Sequence, residues 1–320
     1  MTTDLARDSA MGTIHELILA HGRHEARKLA GSQSSLIDLA VAVLEDEVQG
    51  IGVTYSGFCM TSLPHKRLLD DERWVREHGR VKLVVEPGID ERRDGSIMTV
   101  GVPYGARARL IMIYLQTEAL RNRSREVELG RSMNQWLVRM GIDAGGTTYR
   151  AVQDQAHRIS HCRLTFFWQG DRGDRGFQKD SIVSSGIRLS SDDDVQGAFW
   201  QPTVKLSETF YDALTKHPVP VLETAIKQLS SSSMAIDLYI WLAYRLHVLP
   251  KPQHITWTSL HSQFGGGYKS VAGFKYRFGD VLDMALAVYP EAKVTRDESG
   301  ITLHPSAPPI PERLVSGLVR

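Results

Sequence analysis

Between Tyr104 and Trp168 the spacing of apolar residues changes several times, and that succession constrains the fold more than any other stretch of the chain. Leu110, Ile113, Tyr114, Thr117 and Leu120 recur three and four apart, which predicts an amphipathic helix. Arg125 to Leu129 then alternates charged and apolar residues, as a short half-buried strand does. Ser132 is placed to cap a second helix whose inner face is Met133, Trp136, Leu137 and Met140, and Gly141 to end it in the left-handed conformation. Turn residues follow from Asp143 to Gly146. Thr147 or Thr148 caps a third helix, with Val152, Ala156 and Ile159 inward, Arg150, Gln153, Asp154, His157 and His161 outward, and Arg158 on the flank. Arg163 to Trp168 reads as a strand, and the Gly- and Asp-rich run at 170–176 as the tip of a hairpin.

Helix, strand, helix, turn, helix, hairpin is the order of a winged helix, whose third helix enters a DNA groove. The local charge agrees. Tyr104 to Phe167 holds ten Arg, no Lys and five acidic residues, in a chain whose total formal charge is +1. Arginines on phosphates supply sequence-independent affinity for DNA. An amphipathic bundle with solvated arginines is the bland alternative.

The order recurs. Met234 to Leu246 is a hydrophobic helix ended by Pro250 and Pro252, and His254 to Trp257 a short strand. A helix starting at Thr258 or Ser259 runs to Phe264, Gly265 to Gly267 turn the chain, and Tyr268 to Tyr289 forms a long helix before a hairpin around 297–300. Pro250 to Asp280 carries three Lys and one Arg against one acid. Two basic units of this order suit a site read in two successive grooves. The predicted class is α+β: two tandem winged-helix domains, 99–217 and 218–310, with a mixed α/β extension at 1–98 and a tail at 311–320.

In that extension, Thr13 to Leu29 and Ser34 to Val48 read as helices, and Gly52 to Ser62, Arg80 to Glu86 and Ile97 to Val102 as strands. Residues 63–79 read as helical and 86–90 as a turn. Asp180 to Leu189 and Phe199 to Val204 read as extended and Leu206 to Lys216 as a helix, with a break at 217–220.

No enzyme signature completes itself, and no cofactor or metal is expected. Residues 264–270, FGGGYKS, echo a phosphate-binding loop, but Tyr268 stands where Gly must precede Lys. His157 and His161 lie one turn apart without the Glu of a zinc protease and read as a surface pair. His15, His21 and His24 read as a solvated face, and the acidic run at 190–194 as a solvated loop. Two cysteines, Cys59 and Cys162, exclude a disulfide framework and read as small buried hydrophobes. With no apolar run near membrane length and no signal-peptide pattern, a cytoplasmic protein is expected.

Several stretches resemble the plasmid-encoded RepA replication initiator family: VPYGARARLIMIYLQTEALRNRSREVELG, QWLVRMGI and GGTTYRAVQDQAHRI, then WTSLHSQFGGGYKSVAGFKYRFGDVLDMALAVYPEAKV and ITLHPSAPPIP, together about residues 99–310. The resemblance implies a tandem winged-helix initiator that binds repeated origin sequences (iterons) as double-stranded DNA. It also implies duplex opening, recruitment of the host initiator and helicase, a monomer–dimer equilibrium, and repression of its own promoter. Composition and spacing reach only the two basic units. The other readings are a tandem winged-helix transcriptional regulator without a replication role, and an interaction protein using winged folds for contact alone.

Helix geometry selects the candidate DNA contacts. In the first unit they are Thr148, Arg150, Gln153, His157 and Arg158, with Arg172 and Arg175 at the wing tip. In the second they are Lys269, Ser270, Lys275, Tyr276 and Arg277. Arg and Gln carry donors suited to base edges, while Lys and Ser more often position the backbone.

Overall fold

The structure, a computed structural model, describes residues 10–92, 94–170, 174–185 and 202–311, with only the backbone at 10–13 and 185. Arg172, the acidic run at 190–194 and the tail beyond 311 lie outside them. It is a mixed α+β protein of two compact units, one built from the chain up to Ile51 with Pro220 onward, the other beginning at Gly52 and ending at Val219. The 1–98 segment thus contributes to both: its two helices fold with the C-terminal part and its strands with the middle of the chain.

The unit from Gly52 to Val219 is built on the helix Gly105–Arg121. An amphipathic stripe was expected, but residues 108–113, 115–117, 119 and 120 are all buried, so this helix is central rather than peripheral. Two of its buried polar side chains complete the hydrogen bonding of the strand Ile51–Tyr55. Thr117 Oγ1 accepts from the Val53 N–H at 2.8 Å and Gln116 Oε1 from the Tyr55 N–H at 2.7 Å. Burying these amides unpaired would cost more than the polar side chains do.

The same unit holds a four-stranded antiparallel sheet in the order Trp74–His78, Val81–Glu86, Arg163–Gln169, Arg175–Ser181. Its register pairs Leu83 with Phe166 and Val85 with Leu164 on the buried face. Tyr55, Phe58, Phe166 and Phe210 meet there edge to face, Tyr55 and Phe166 with ring centroids 5.2 Å apart. Residues 63–79, expected to be helical, are instead loop followed by the strand Trp74–His78. Gly79 at φ 57° turns the chain so that this strand pairs with the next. Two further departures are local: Gly57–Met60 is a short helix where strand was expected, and Gly88–Glu91 is a strand where a turn was expected. The latter pairs with Ile97–Val100.

The short strand Glu126–Glu128 forms as expected, with Val127 fully buried, and Ser132 caps the helix Met133–Arg139 by accepting from the Gln135 N–H at 3.2 Å. Gly141 follows at φ 67°. The third helix, Gly146–His161, begins after Gly145 without the side-chain cap expected from Thr147 or Thr148. The hairpin 163–181 does not pair with the strand Glu126–Glu128. That strand pairs with Thr203–Leu206, which pairs in turn with Val183–Ser185, while the hairpin joins the sheet of Val81–Glu86. Strand partners distant in sequence decide this, and no spacing within 104–181 encodes them.

In the other unit the expected order is present. Ser232 caps the helix Ser233–Leu246, Thr256 caps Trp257–Phe264 and Ser270 caps Val271–Ala287. The strands Gln253–Thr256, Val294–Arg296 and Gly300–Leu303 form one antiparallel sheet with Gly300–Leu303 in the centre. Trp257, Phe264, Phe274 and Phe278 fill the space between these helices. The helices Ala10–Ala30 and Ser34–Leu44 close the core through Ile14, Ile37, Ala40 and Val41 against Ala287.

Candidate nucleic-acid interface

The two helices singled out from the sequence share one feature. In Val271–Ala287 the first half buries only Phe274 and Phe278, whereas Leu282 and 285–287 are buried in the second half. In Gly146–His161 the residues 146–151 are exposed apart from a half-buried Thr148, and burial begins at Val152. Each helix is held at its C-terminal end and stands clear at its N-terminal end. A helix inserted in a major groove presents its N-terminal residues to the bases.

In the first, Arg150 is exposed, Thr148 and Gln153 are half-buried, and Arg175 is exposed on the hairpin opposite Gln169. Arg158, expected on the flank, is 5% exposed and points inward. Its Nε donates to Asp154 Oδ1 at 3.0 Å, its Nη2 lies 3.1 Å from Asp70 Oδ1, and its guanidinium covers the Tyr104 ring at 5.4 Å. It fastens the loop bearing Asp70 to the helix and is not part of the exposed face. Burial raises the Asp70 carboxyl, but the hydrogen bond and charge of Arg158, helped by Arg67, outweigh that and hold it below the usual carboxylate range. His157 is not on a free face either: its Nε2 lies 2.8 Å from Asp90 Oδ2, and its ring meets that of His161 at 4.5 Å.

In the second, Lys269, Ser270, Lys275, Tyr276 and Arg277 are all exposed, Tyr276 by 70%. Ser270 has a structural duty, its Oγ accepting from the Gly273 N–H at 3.2 Å. Lys275 Nζ lies 5.2 Å from the Trp257 ring centroid and donates to Glu298 O at 3.3 Å, which holds the ammonium beside the hairpin turn.

Sequence reasoning passed over two groups. Arg109 of the PYG-arginine helix is 5% exposed, its guanidinium donating to Leu63 O at 2.6 Å and to Pro64 O and Gly105 O, each at 3.0 Å. It sits among buried apolar neighbours, the one signal that sets it apart from the solvated arginines. The second is aromatic: Phe167, Trp168 and Phe177 are 41%, 42% and 67% exposed on the 163–181 hairpin, and the Trp168 ring lies so close over Gly176 that a Cβ there would meet it at 2.5 Å. Cys59 and Cys162 are buried as expected, and burial pushes the Cys162 thiol up to about 12, leaving it no thiolate at neutral pH.

This is a mixed α+β chain with two helices exposed at their N-terminal ends. Residues 102–259 match the model of the family described as plasmid encoded RepA protein. Two solved structures of domains 2 and 3 of RctB are similar to this chain. One is 12% identical with TM-score 0.48, covering 78% of this chain and 95% of that one. The other is 10% identical with TM-score 0.48, covering 77% and 94%. No curated protein matches the chain. Among the described residues no helix is long and apolar enough to cross a membrane.

Proposed function

We propose that this chain is a plasmid replication initiator that binds double-stranded origin repeats through two winged-helix units, and that it works by binding rather than by catalysis. The observation that carries this is the shared design of the two helices, each buried along its C-terminal half and largely exposed at its N-terminal end. The sheet order around Val271–Ala287, with the last strand between the other two, supports the winged-helix reading of that unit. In the other unit the order of helices is the same, but Thr203–Leu206 supplies the strand that pairs with Glu126–Glu128. The RepA match over residues 102–259 supports the replication role, from which recruitment of the host initiator and helicase, a monomer–dimer equilibrium and autorepression follow as parts of the proposal.

The DNA-facing set is Thr148, Arg150, Gln153 and Arg175 in one unit and Lys269, Lys275, Tyr276 and Arg277 in the other. Footprinting on the DNA upstream of the chain's own gene tests it. Protected direct repeats, with permanganate-reactive thymines in adjoining AT-rich DNA, are expected. An inverted repeat over the promoter without opening means a transcriptional regulator instead, and no protection at low salt rejects DNA binding. Replacing Lys275 and Arg277 together by Ala should lower the slope of log K against log salt by up to about 1.8, at about 0.9 per phosphate contact. Arg150→Glu should weaken binding while leaving the circular dichroism unchanged.

A further inference from the structure

By spacing alone His157 and His161 are a surface pair, but the fold brings a carboxylate to them. Asp90 stands on the strand Gly88–Glu91, which lies against the last turns of the helix Gly146–His161. The approach is close enough that a Cβ at Gly88 would come within 2.0 Å of His161 O. One ligand atom from each of Asp90, His157 and His161 lies within 4.8 Å of the other two. His157 Nε2 is 2.8 Å from Asp90 Oδ2, and His161 Nε2 is 3.6 Å from Asp90 Oδ1. The three side chains are 33%, 18% and 21% exposed for His157, His161 and Asp90, so the cluster is sheltered yet reachable from solvent.

We propose that Asp90, His157 and His161 form a binding site for one divalent transition-metal ion of the zinc class, which ties the 88–100 hairpin to the helix Gly146–His161.

Three features favour it. Two imidazoles and one carboxylate form a donor set suited to zinc, cobalt or nickel rather than to calcium or magnesium, which prefer oxygen throughout. His161 Nδ1 lies 2.8 Å from His157 O, and donating its proton there leaves Nε2 as the lone pair turned toward Asp90. Fixing a ligand's tautomer by a hydrogen bond from its other ring nitrogen is what outer-shell partners do at metal sites. The geometry is also near that of a bound ion. Ligand bonds of about 2.1 Å at tetrahedral angles place donors roughly 3.4 Å apart. The His157 Nε2–Asp90 Oδ2 pair must therefore open by a little over half an ångström, and because His161 Nε2 lies 3.6 Å from the other oxygen, Oδ1, a small turn of the carboxylate brings one oxygen to both imidazoles. On binding, His157 Nε2 would offer its lone pair to the ion, and water would complete the coordination. The ion would lock the C-terminal end of the helix whose N-terminal end projects, although the site itself does not depend on DNA binding.

The test is titration of the chelator-treated full-length protein with Co²⁺, followed by its visible d–d absorption, and then with Zn²⁺ as competitor. One equivalent per chain with tetrahedral or five-coordinate bands, displaced by one equivalent of Zn²⁺, is expected. Asp90→Asn keeps the shape of the side chain and a hydrogen bond to His157 but removes the anionic ligand, and His161→Gln removes an imidazole. Each should weaken binding by at least about 100-fold, the upper end of what loss of an outer-shell partner costs, with unchanged circular dichroism. The double variant His21→Gln, His24→Gln, on the exposed face of the first helix, should bind as the wild type does. Absence of a saturable one-to-one signal in the wild type overturns the proposal and leaves the cluster a hydrogen-bonded contact. Retention of that signal in both Asp90→Asn and His161→Gln overturns it as well.

Discussion

Arg109→Met separates arginines that hold the fold from arginines that meet DNA. The guanidinium is 5% exposed and donates to three backbone carbonyls, two of them in the buried 63–64 segment. Methionine matches the length of the side chain but offers no donor. Pro64 O keeps the Gly105 N–H at 2.9 Å, so its loss is partial, whereas Leu63 O loses a 2.6 Å bond to a cationic donor. Hydrogen bonds to charged groups contribute roughly 1.5–3 kcal/mol, and a buried acceptor left unpaired costs about 1–3 kcal/mol. Relief from burying a charge offsets part of this. The net expectation is a loss of about 2–4 kcal/mol in the unit that begins at Gly52, or a fall in its melting temperature of roughly 4–16 °C at about 2–4 °C per kcal/mol for a domain of this size. The assay is urea and thermal unfolding of the full chain followed by tryptophan fluorescence, with Arg107→Met as the companion, since Arg107 is only half-buried. The variant should also keep the wild-type salt slope for DNA, because a guanidinium inside the protein releases no counterions. A change under about 0.5 kcal/mol refutes the structural role. A salt slope lowered by about 0.9 in a folded variant would put Arg109 on the DNA.

Two more predictions concern the same unit. In Gly88→Ala the new Cβ meets the His161 carbonyl at 2.0 Å, and backbone cannot swing away as a side chain tip does. Overpacking of this kind should cost about 1–3 kcal/mol and weaken cobalt binding, and a wild-type melting temperature would show that the hairpin is not fitted to the helix there. Asp70 titrates below its usual range when folded, so the stability it lends is complete above the unfolded carboxylate pKa near ~4 and is lost as pH falls through the lower folded value. Asp70→Asn should therefore flatten the fall in melting temperature below about pH 4, and an unchanged pH profile would sever the link to Arg158.

Local order was legible in the sequence because local rules set it. The helices at 105–121, 133–139, 146–161, 233–246, 257–264 and 271–287 follow from apolar periodicity, and Ser132, Ser232 and Ser270 cap helices through their own hydroxyls. The exposed basic residues Lys275 and Arg277 follow from position on a helix whose inner face is Phe274 and Phe278. Most of the RepA-like stretches lie in these same helices, while ITLHPSAPPIP falls on the strand Gly300–Leu303 and the chain after it. Partnership between distant segments was not legible. Pattern alone cannot say that the 163–181 hairpin pairs with Val81–Glu86, or that the chain up to Ile51 folds with its C-terminal part. Nor can it tell Arg158, inside among Asp70, Asp154 and Tyr104, from Arg150 two turns earlier and outside. Helical spacing placed His157 and His161 one turn apart, but only the packing of Gly88–Glu91 on that helix brought Asp90 to them. Periodicity acts between neighbours along the chain, so one sequence determines which residues share a face. What that face meets is decided by burial and hydrogen bonding between segments whose separation along the chain leaves no trace in spacing.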